Sequence, residues 1–332
     1  MTKILCIGSI TKDIFFPTKE GVILDTPEDL LSQKKIAFEL GAKYHITNRA
    51  ETLGGCSVNV ACGLARLGEE VGCLAVIGND ATGKWMKEKL SGYNVIGEEI
   101  YEIDEVMSDL SAIIVDDNSG ERTIFSSHSA SGLLEIQAEK IKDIDWVFVG
   151  DLSGDWINNL EKIFTACEKE KIFVAFNPRQ KTIAENPEAI VKALEKCALF
   201  VVNKDEAVEL VSGLGFDISS SQLGDEIFLL NEIKSRTDGL VVITDGLRGA
   251  WATDGKNILH VDAIPQDAID TTGAGDAFTS AFFAAHLKGF TMEICLRWGI
   301  ANSSSSVTRY GGQEGLLNQD NIIEFAKKVI VN

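Results

Sequence analysis

Between residues 145 and 245 the chain changes its hydrophobic period again and again. Short β-branched runs, DWVFVG, IFVAFN, LFVVN and GLVVITD, are separated by segments with apolar residues at helical spacing, WINNLEKIFTACEKEK and PEAIVKALEKC among them. Runs that are apolar on both faces and joined by helices have few stable arrangements, and the simplest is a parallel sheet covered by helices on both sides. KILCIG (3–8), SVNVACGLARLG (57–68) and GCLAVIG (72–78) carry the same rhythm to the N-terminus. The pattern predicts a mostly parallel α/β sheet covered by helices on both faces; length alone permits one large domain or two smaller ones, and no interdomain linker is evident.

Two stretches break the rhythm. Residues 14–53 are too long for an ordinary β-α loop, and IAFEL and KYHIT around Gly41 predict a β-hairpin there. SAIIVD, the turn DNSGE and RTIFS predict a second hairpin near 111–126. Insertions at 14–53 and 99–127 are expected to build a small β lid over the carboxyl ends of the sheet, where such folds bind ligands.

The net charge of −19 and sequence pI near 4.6 argue against nucleic acid as a partner, because phosphate-backbone affinity rests on Lys and Arg. Seven Cys without a C-x-x-C pair indicate neither a disulfide framework nor a cysteine zinc site, and Cys56 and Cys62 read as small core residues. His45, His128, His260 and His286 are not at ligand spacing, and His286 reads as a core or rim residue. The first residues hold only a short apolar run, unlike a signal peptide, and the chain has no uncharged apolar stretch long enough for a membrane span. A cytoplasmic enzyme is the expectation.

The chemistry concentrates in DTTGAGDAF, residues 270–278, just before the apolar run TSAFFAAHLKG. Gly273, Ala274 and Gly275 let a backbone approach a ligand closely, and a helix beginning there points free N–H groups at an anion. Asp276 falls in the first helical turn, as a dipole partner or as a functional carboxylate. A dinucleotide fingerprint is rejected because Phe278 stands where its third small residue belongs. GNDATGKW (78–85) spaces Gly78, Gly83 and Lys84 like a P-loop but has Trp85 in place of the metal-binding hydroxyl, so it reads as an ordinary helix start.

DTTGAGDAF resembles the C-terminal signature of the PfkB, or ribokinase-like, carbohydrate kinases, and GGCSVNVACGLARLG (54–68) resembles their N-terminal one. The resemblance covers essentially the whole chain in the same motif order. It implies a single doubly wound α/β domain over residues 1–332, the ribokinase-like fold with a β lid, and transfer of the γ-phosphoryl group of ATP to a hydroxymethyl group. It also implies an anion hole at Gly273, Ala274 and Gly275, with Asp276 as the catalytic base. Asn203 and Glu206 match the family's N-x-x-E motif, tied to phosphates and the water shell of Mg2+, although Asn followed three residues on by Glu is equally a helix capping box. Thr244, Gly246 and Gly249 match its nucleotide-binding turn, and adenine contacts are expected around residues 300–307. Asp270 and Thr272 match positions beside a monovalent-cation loop in some members, which leaves K+ open.

At the acceptor end the resemblance places Asp13 and Asn59 on substrate hydroxyls, with Gly54 and Gly55 as hinge glycines. A carboxylate at the carboxyl end of the first strand can accept two hydrogen bonds from a polyol. Asn177-Pro178-Arg179 resembles a D-x-N-x-R segment with Ala175 in place of Asp, leaving Arg179 open between an anion contact and a surface pair. Asp151 is a further acceptor candidate. The implied activity is a magnesium- and ATP-dependent kinase of a primary alcohol on a sugar or related polyol, with a homodimer through the lid as a further expectation. The alternatives are a nucleoside kinase, with Phe15, Phe16, Phe38 and Tyr44 as candidates to hold the base, and a catalytically silent sugar-binding protein.

Overall fold

A computed structural model of the protein describes residues 2–25, 34–46, 48–118, 122–215 and 218–331. The strands run in chain order as β1 (Lys3–Ile7), β2 (Thr11–Thr18), β3 (Val22–Asp25), β4 (Lys34–Ala37), β5 (Ala50–Gly54), β6 (Glu70–Gly78), β7 (Ile96–Ile103) and β8 (Leu110–Asp116). They continue as β9 (Arg122–Ser127), β10 (Trp146–Val149), β11 (Phe173–Phe176), β12 (Leu199–Asn203), β13 (Leu240–Thr244), β14 (Ala250–Thr253) and β15 (Ile258–Val261). Nine of them form one sheet in the order β15-β14-β13-β12-β11-β10-β1-β6-β7. Pairing is parallel from β13 through β7, and β14 and β15 extend the edge antiparallel. The β/α alternation is thus realised as a doubly wound sheet with helices on both faces.

Each face of that sheet has its own apolar core. One packs Cys6, Cys73, Phe148 and Val201 against the helices Cys56–Arg66, Ala274–Leu287 and Met292–Ser306. The other packs Ile7, Val149, Phe176 and Ile243 against Trp156–Glu170, Pro187–Leu194, Lys204–Gly213 and Glu226–Lys234. Alternate residues of one strand feed opposite cores, which is why these strands read as unbroken apolar runs. The helix Ala274–Leu287 buries every residue from Ala277 to Ala285. A helix apolar all round must be an interior element, and its N-terminus is therefore rigidly held.

The chain winds outward from β1, with β6 and β7 on one side and β10 to β13 on the other, so the topological switch lies between β1 and β10. Loops leaving their carboxyl ends diverge and open a crevice. Beside it stands a second sheet, β5-β2-β8-β9, in which β2 pairs β8 in parallel and the outer pairs are antiparallel. Its small core is Phe15, Ile113 and Val115, backed by Ala50 and Tyr310.

Three expectations are corrected by this arrangement. Residues 99–103, assigned to the lid from sequence, complete β7 on the main sheet, while Thr11–Asp13 belong to the small sheet. Alternation alone could not assign β7, because an edge strand with one exposed face reads like a lid strand. The hairpin around Gly41 is replaced by β4 pairing with β3, and residues 43–46 form no strand. The β8/β9 hairpin forms as expected, although residues 119–121 of its turn lie outside the described residues. Finally, Cys62 is buried, but Cys56 is only partly so and faces the crevice.

Candidate active site

Gly273 caps the helix Ala274–Leu287 in a left-handed conformation, φ 76°. A Cβ there would sit 2.7 Å from Gly312 Cα, so both the dihedral and the packing require glycine. At Gly275 a Cβ would meet nothing within 4 Å. Packing does not demand glycine at that position; its hydrogen keeps open the space over the helix's first N–H groups, which have no partners within the helix. Thr271, Gly273, Ala274, Gly275 and Asp276 line a cleft of about 170 Å³, closed on its other side by Asn203, Glu206 and Thr244.

A second cleft of about 240 Å³ continues from this seat between the turn after β13 and the helix Met292–Ser306. Leu247, Ala263, Ile264, Phe278, Ile300 and Val307 make it largely apolar. Thr244, Gly246 and Gly249, the turn singled out in the sequence, are among the residues that line it. Gly249 is held at φ 88° with Val261 O 1.9 Å from where a Cβ would be, so this turn is closed to any other residue. Ala263, Ile264 and Ala268 went unnoticed in the sequence, since a loop of small apolar residues carries no motif.

On the other side of Asp276 lies a cavity of about 480 Å³, lined by Asp13, Gly55, Asn59 and Arg179 among the sequence candidates. Asp13 is buried and accepts hydrogen bonds from Thr11 Oγ1 (2.9 Å) and from Ser111. Gly54 is not part of the wall. It stands behind Asp13, where a Cβ would lie 2.1 Å from Asp13 Oδ2. Gly55 caps the helix Cys56–Arg66 at φ 95°, with Ser9 O 2.4 Å from a notional Cβ. Asp151 is buried and pairs with Arg179 at 2.9 Å and with the Ser9 hydroxyl, so it steadies Arg179 instead of entering the cavity wall. Thr11, Ser111 and Ser126, which sequence reading had passed over, also line the cavity, as does His128, which it had weighed only as a metal ligand.

Asn59 lines the cavity and also has partners within the protein. Its Nδ2 donates to Asp276 Oδ2 at 2.7 Å, and its Oδ1 accepts from buried Gln313. It thus orients the carboxylate as well as facing the cavity. Burial pushes the Asp276 carboxyl up to about 6, against hydrogen bonds from Asn59 and Cys56 that favour the anion. Burial likewise raises Glu206 to about 7. Asp13 is shifted up by burial as well. Asn203 and Glu206 form the full capping box, with Asn203 Oδ1 accepting from Glu206 N at 2.8 Å and Glu206 Oε2 accepting from Asn203 N at 2.9 Å. Besides capping its helix, Glu206 lines both the smaller cleft and the larger cavity.

Asp270 is buried and braces its loop, accepting from Thr272 N (3.0 Å), Thr272 Oγ1 (2.7 Å) and Gly311 N (2.9 Å). At the P-loop-like segment, Asp80 caps the helix Ala81–Gly92 by accepting from Gly83 N at 2.7 Å. A carboxylate already fills the place an anion would take. His286 packs edge-on against Trp146, as a core or rim residue should. Among the described residues no helix is long and apolar enough to cross a membrane.

A doubly wound sheet with a small sheet beside its crevice, and a helix N-terminus paired with a carboxylate between two clefts, define the architecture of small-molecule kinases. Residues 1–319 match the family described as pfkB family carbohydrate kinase, and the chain belongs to that family. It is 25% identical over 332 residues to a nucleoside kinase of Methanocaldococcus jannaschii, covering 99% of this chain and 98% of that protein. It is 27% identical over 280 residues to a ribokinase of Haemophilus influenzae, covering 82% and 86%. A putative ribokinase II from E. coli, solved in complex with ATP and Mg2+, superposes with a TM-score of 0.78 at 20% identity, covering 99% of this chain and all (100%) of that one. The protein is a carbohydrate kinase with the ribokinase fold.

Proposed function

We propose that the protein transfers the γ-phosphoryl group of ATP to a primary hydroxyl of a sugar or related polyol. One observation carries this reading: Asp276 lines both the phosphate cleft and the larger cavity, so its carboxylate stands at the junction where a bound phosphate and a bound alcohol would meet. The apolar cleft suits an adenine, the helix N-terminus suits the phosphates, and Asp13 suits the hydroxyls of the acceptor.

In the proposed reaction the acceptor oxygen attacks the γ-phosphorus in line. The bond from that phosphorus to the β,γ-bridging oxygen breaks, and ADP leaves with the electron pair. The alcohol proton passes to Asp276, whose other oxygen is held by Asn59. In a loose transition state the alcohol acidifies late, so a weak base suffices and orientation with charge neutralisation does most of the work. The N–H groups of Gly275 and its neighbours would take the charge of the transferring group.

Among the described residues no three His, Cys, Asp or Glu are grouped to hold a metal ion. A Mg2+ carried in on the nucleotide would be held mostly by phosphate oxygens and water, and Glu206, which lines both the phosphate cleft and the larger cavity, would touch its water shell. Such an ion would supply charge neutralisation at the phosphates. The small sheet is placed to act as the lid that excludes water from the transfer, since Ser111, Ile113, Ile124 and Ser126 bring it to the cavity wall.

The cavity favours a polyol over a nucleoside. Phe15 is buried against Tyr310, Phe38 packs on Tyr44, and none of these nor Phe16 lines the cavity, where Ile113 and Ile124 are the apolar groups of the small sheet. A magnesium-ATP consumption screen over sugars, sugar acids and nucleosides tests the assignment, and turnover of nucleosides alone would overturn it. In the same assay Asp13→Ala should raise the acceptor KM by about 5- to 150-fold, since roughly 1 to 3 kcal/mol is lost when substrate hydroxyls go unpaired. Its nucleotide KM should barely change. Because the base must be ionised, kcat/KM is expected to rise with pH and level off above an inflection near the Asp276 value of about 6. A flat profile from pH 5 to 8, measured at subsaturating substrate, would contradict that role.

A further inference from the structure

Polar groups in the wall of the acceptor cavity divide unevenly between acceptors and donors. Asp13, Glu206 and Asp276 line it, and as carboxylates they can only accept. Other lining groups spend donors within the protein: the hydroxyls of Thr11 and Ser111 on Asp13, Asn59 Nδ2 on Asp276, and Asn177 Nδ2 on Val201 O at 2.7 Å. Arg179 and His128 differ from these, because each is held from behind by a buried carboxylate and keeps further donors for the cavity. Buried Asp151 takes one Nη2 of Arg179 at 2.9 Å, and the half-exposed guanidinium retains the rest of its fork. Asp109, also buried, accepts from Ala130 N at 2.8 Å and from His128 Nδ1 at 3.3 Å. That second bond fixes which ring nitrogen carries a proton. It leaves Nε2, with no partner among the described residues, as the ring's polar contact with the cavity it lines. Protonated, the ring presents a positive charge and a second N–H there.

Building on the kinase reading above, we infer that His128 determines acceptor specificity and that the acceptor is an anionic sugar derivative, its carboxylate or phosphate held by His128 Nε2 together with Arg179. The hydroxyls of a neutral polyol both donate and accept, so the carboxylates of the wall can satisfy them. An anionic group only accepts and must find donors, and bonds to charged donors are roughly twice as strong as neutral ones. His128 then bridges two anions, Asp109 behind it and the ligand in front, with both ring N–H groups used. Asp109 is a positioning residue that acts through His128. The two cationic side chains also offset the repulsion that Asp13, Glu206 and Asp276 would exert on an acid, so the loss of one should turn the preference toward neutral acceptors. The hydroxyl to be phosphorylated stays at Asp276, which puts the anionic group on a different carbon.

Matched acceptors test this. Magnesium-ATP consumption and phosphorylated product are measured with sugar acids, sugar phosphates and the neutral compound of each skeleton, such as gluconate against sorbitol and fructose 6-phosphate against fructose. The proteins are the wild type, His128→Leu, His128→Gln and Asp109→Asn, with thermal melts alongside. In one anionic arm the wild type should prefer the anion to its neutral counterpart by about 10-fold or more in kcat/KM, and the arm that shows it identifies the group. His128→Leu should shrink that ratio by about 10- to 150-fold, the worth of a hydrogen bond to a charged group, chiefly through the acceptor KM. His128→Gln, which keeps a donor without the charge, should fall between, and it decides the matter if His128→Leu does not fold. Asp109→Asn should shrink the ratio in the same direction with His128 still in place. Equal losses on anionic and neutral acceptors would mean that His128 only shapes the wall, and would overturn the inference. A wild type that phosphorylates neutral compounds as well as their anionic partners would overturn it too, while leaving the kinase reading standing. No phosphorylated product from any acceptor would overturn the kinase reading itself and this inference with it.

Discussion

Asp276→Asn is expected to lower turnover by about 10²- to 10⁴-fold, the usual worth of general-base catalysis, while leaving the fold intact. Asn has nearly the same size, is tolerated at a helix N-terminus and can keep the hydrogen bond to Asn59, but it cannot take up the alcohol proton. Stability should move the other way. The folded-state value of Asp276, about 6, lies above its ordinary 3.8, so the native protein binds this proton more tightly than the unfolded chain does. The stabilisation from that proton is complete below 3.8 and lost as pH rises through about 6. Above that point the wild type holds a buried charge that the amide does not, and the melting temperature of Asp276→Asn should exceed the wild type's by a margin that grows from pH 5 and levels off above about pH 7. Paired melts and steady-state rates over that range check both halves. A variant with near-normal turnover would reduce Asp276 to a partner of the helix dipole.

Gly275→Val separates catalysis from stability in a second way. The space above Gly275 is open, so a side chain fits the fold but fills the place over the helix N–H groups where the phosphates are proposed to lie. Turnover should fall by about 10²-fold or more, as when an oxyanion donor is lost, with weakened magnesium-ATP binding. Gly275→Ala, within the first helical turn, should gain up to about 1 kcal/mol of helix stability while still impairing nucleotide binding. Gly273→Ala behaves differently, because its left-handed backbone and the approach of Gly312 make that substitution destabilising in itself. Nucleotide titrations and melts of the three variants distinguish a seat that must be empty from a turn that must be glycine. Unimpaired magnesium-ATP binding by Gly275→Val would remove the phosphates from this helix.

What could be read in advance was local. The strands from 145 onward and the helix after Gly275 declare themselves because their periods are set by neighbours a few residues away. Gly273, Asp276, Asn203 and Glu206 were legible for the same reason, each lying in a short motif at a helix start. The contacts that complete the site are distant in sequence. Gln313 orients Asn59 across 254 residues, and Cys56 reaches Asn177 at 3.4 Å across 121. Neither Gln nor Cys has a pattern that announces such a role, so Gln313 was passed over and Cys56 was taken for a core residue. The pairing of β4 with β3 was hidden because both strands are four residues long and β3 is exposed throughout, and weakly patterned strands do not fix their own register. Gly54 and Gly55 were singled out as hinges; the geometry gives them a plainer necessity, the close approach of Asp13 and of Ser9.

The central claim is that Asp276 sits between a bound nucleotide and a bound alcohol and that the phosphoryl group crosses that junction. The most direct test is to incubate the protein with magnesium-ATP labelled at the γ-phosphate and a panel of sugars and polyols, then to follow the label. The account predicts label in a phosphorylated sugar in equal amount to the ADP formed, with transfer falling by the same factor as turnover in Asp276→Asn. Label released only as inorganic phosphate, or transferred equally well by Asp276→Asn, would contradict it.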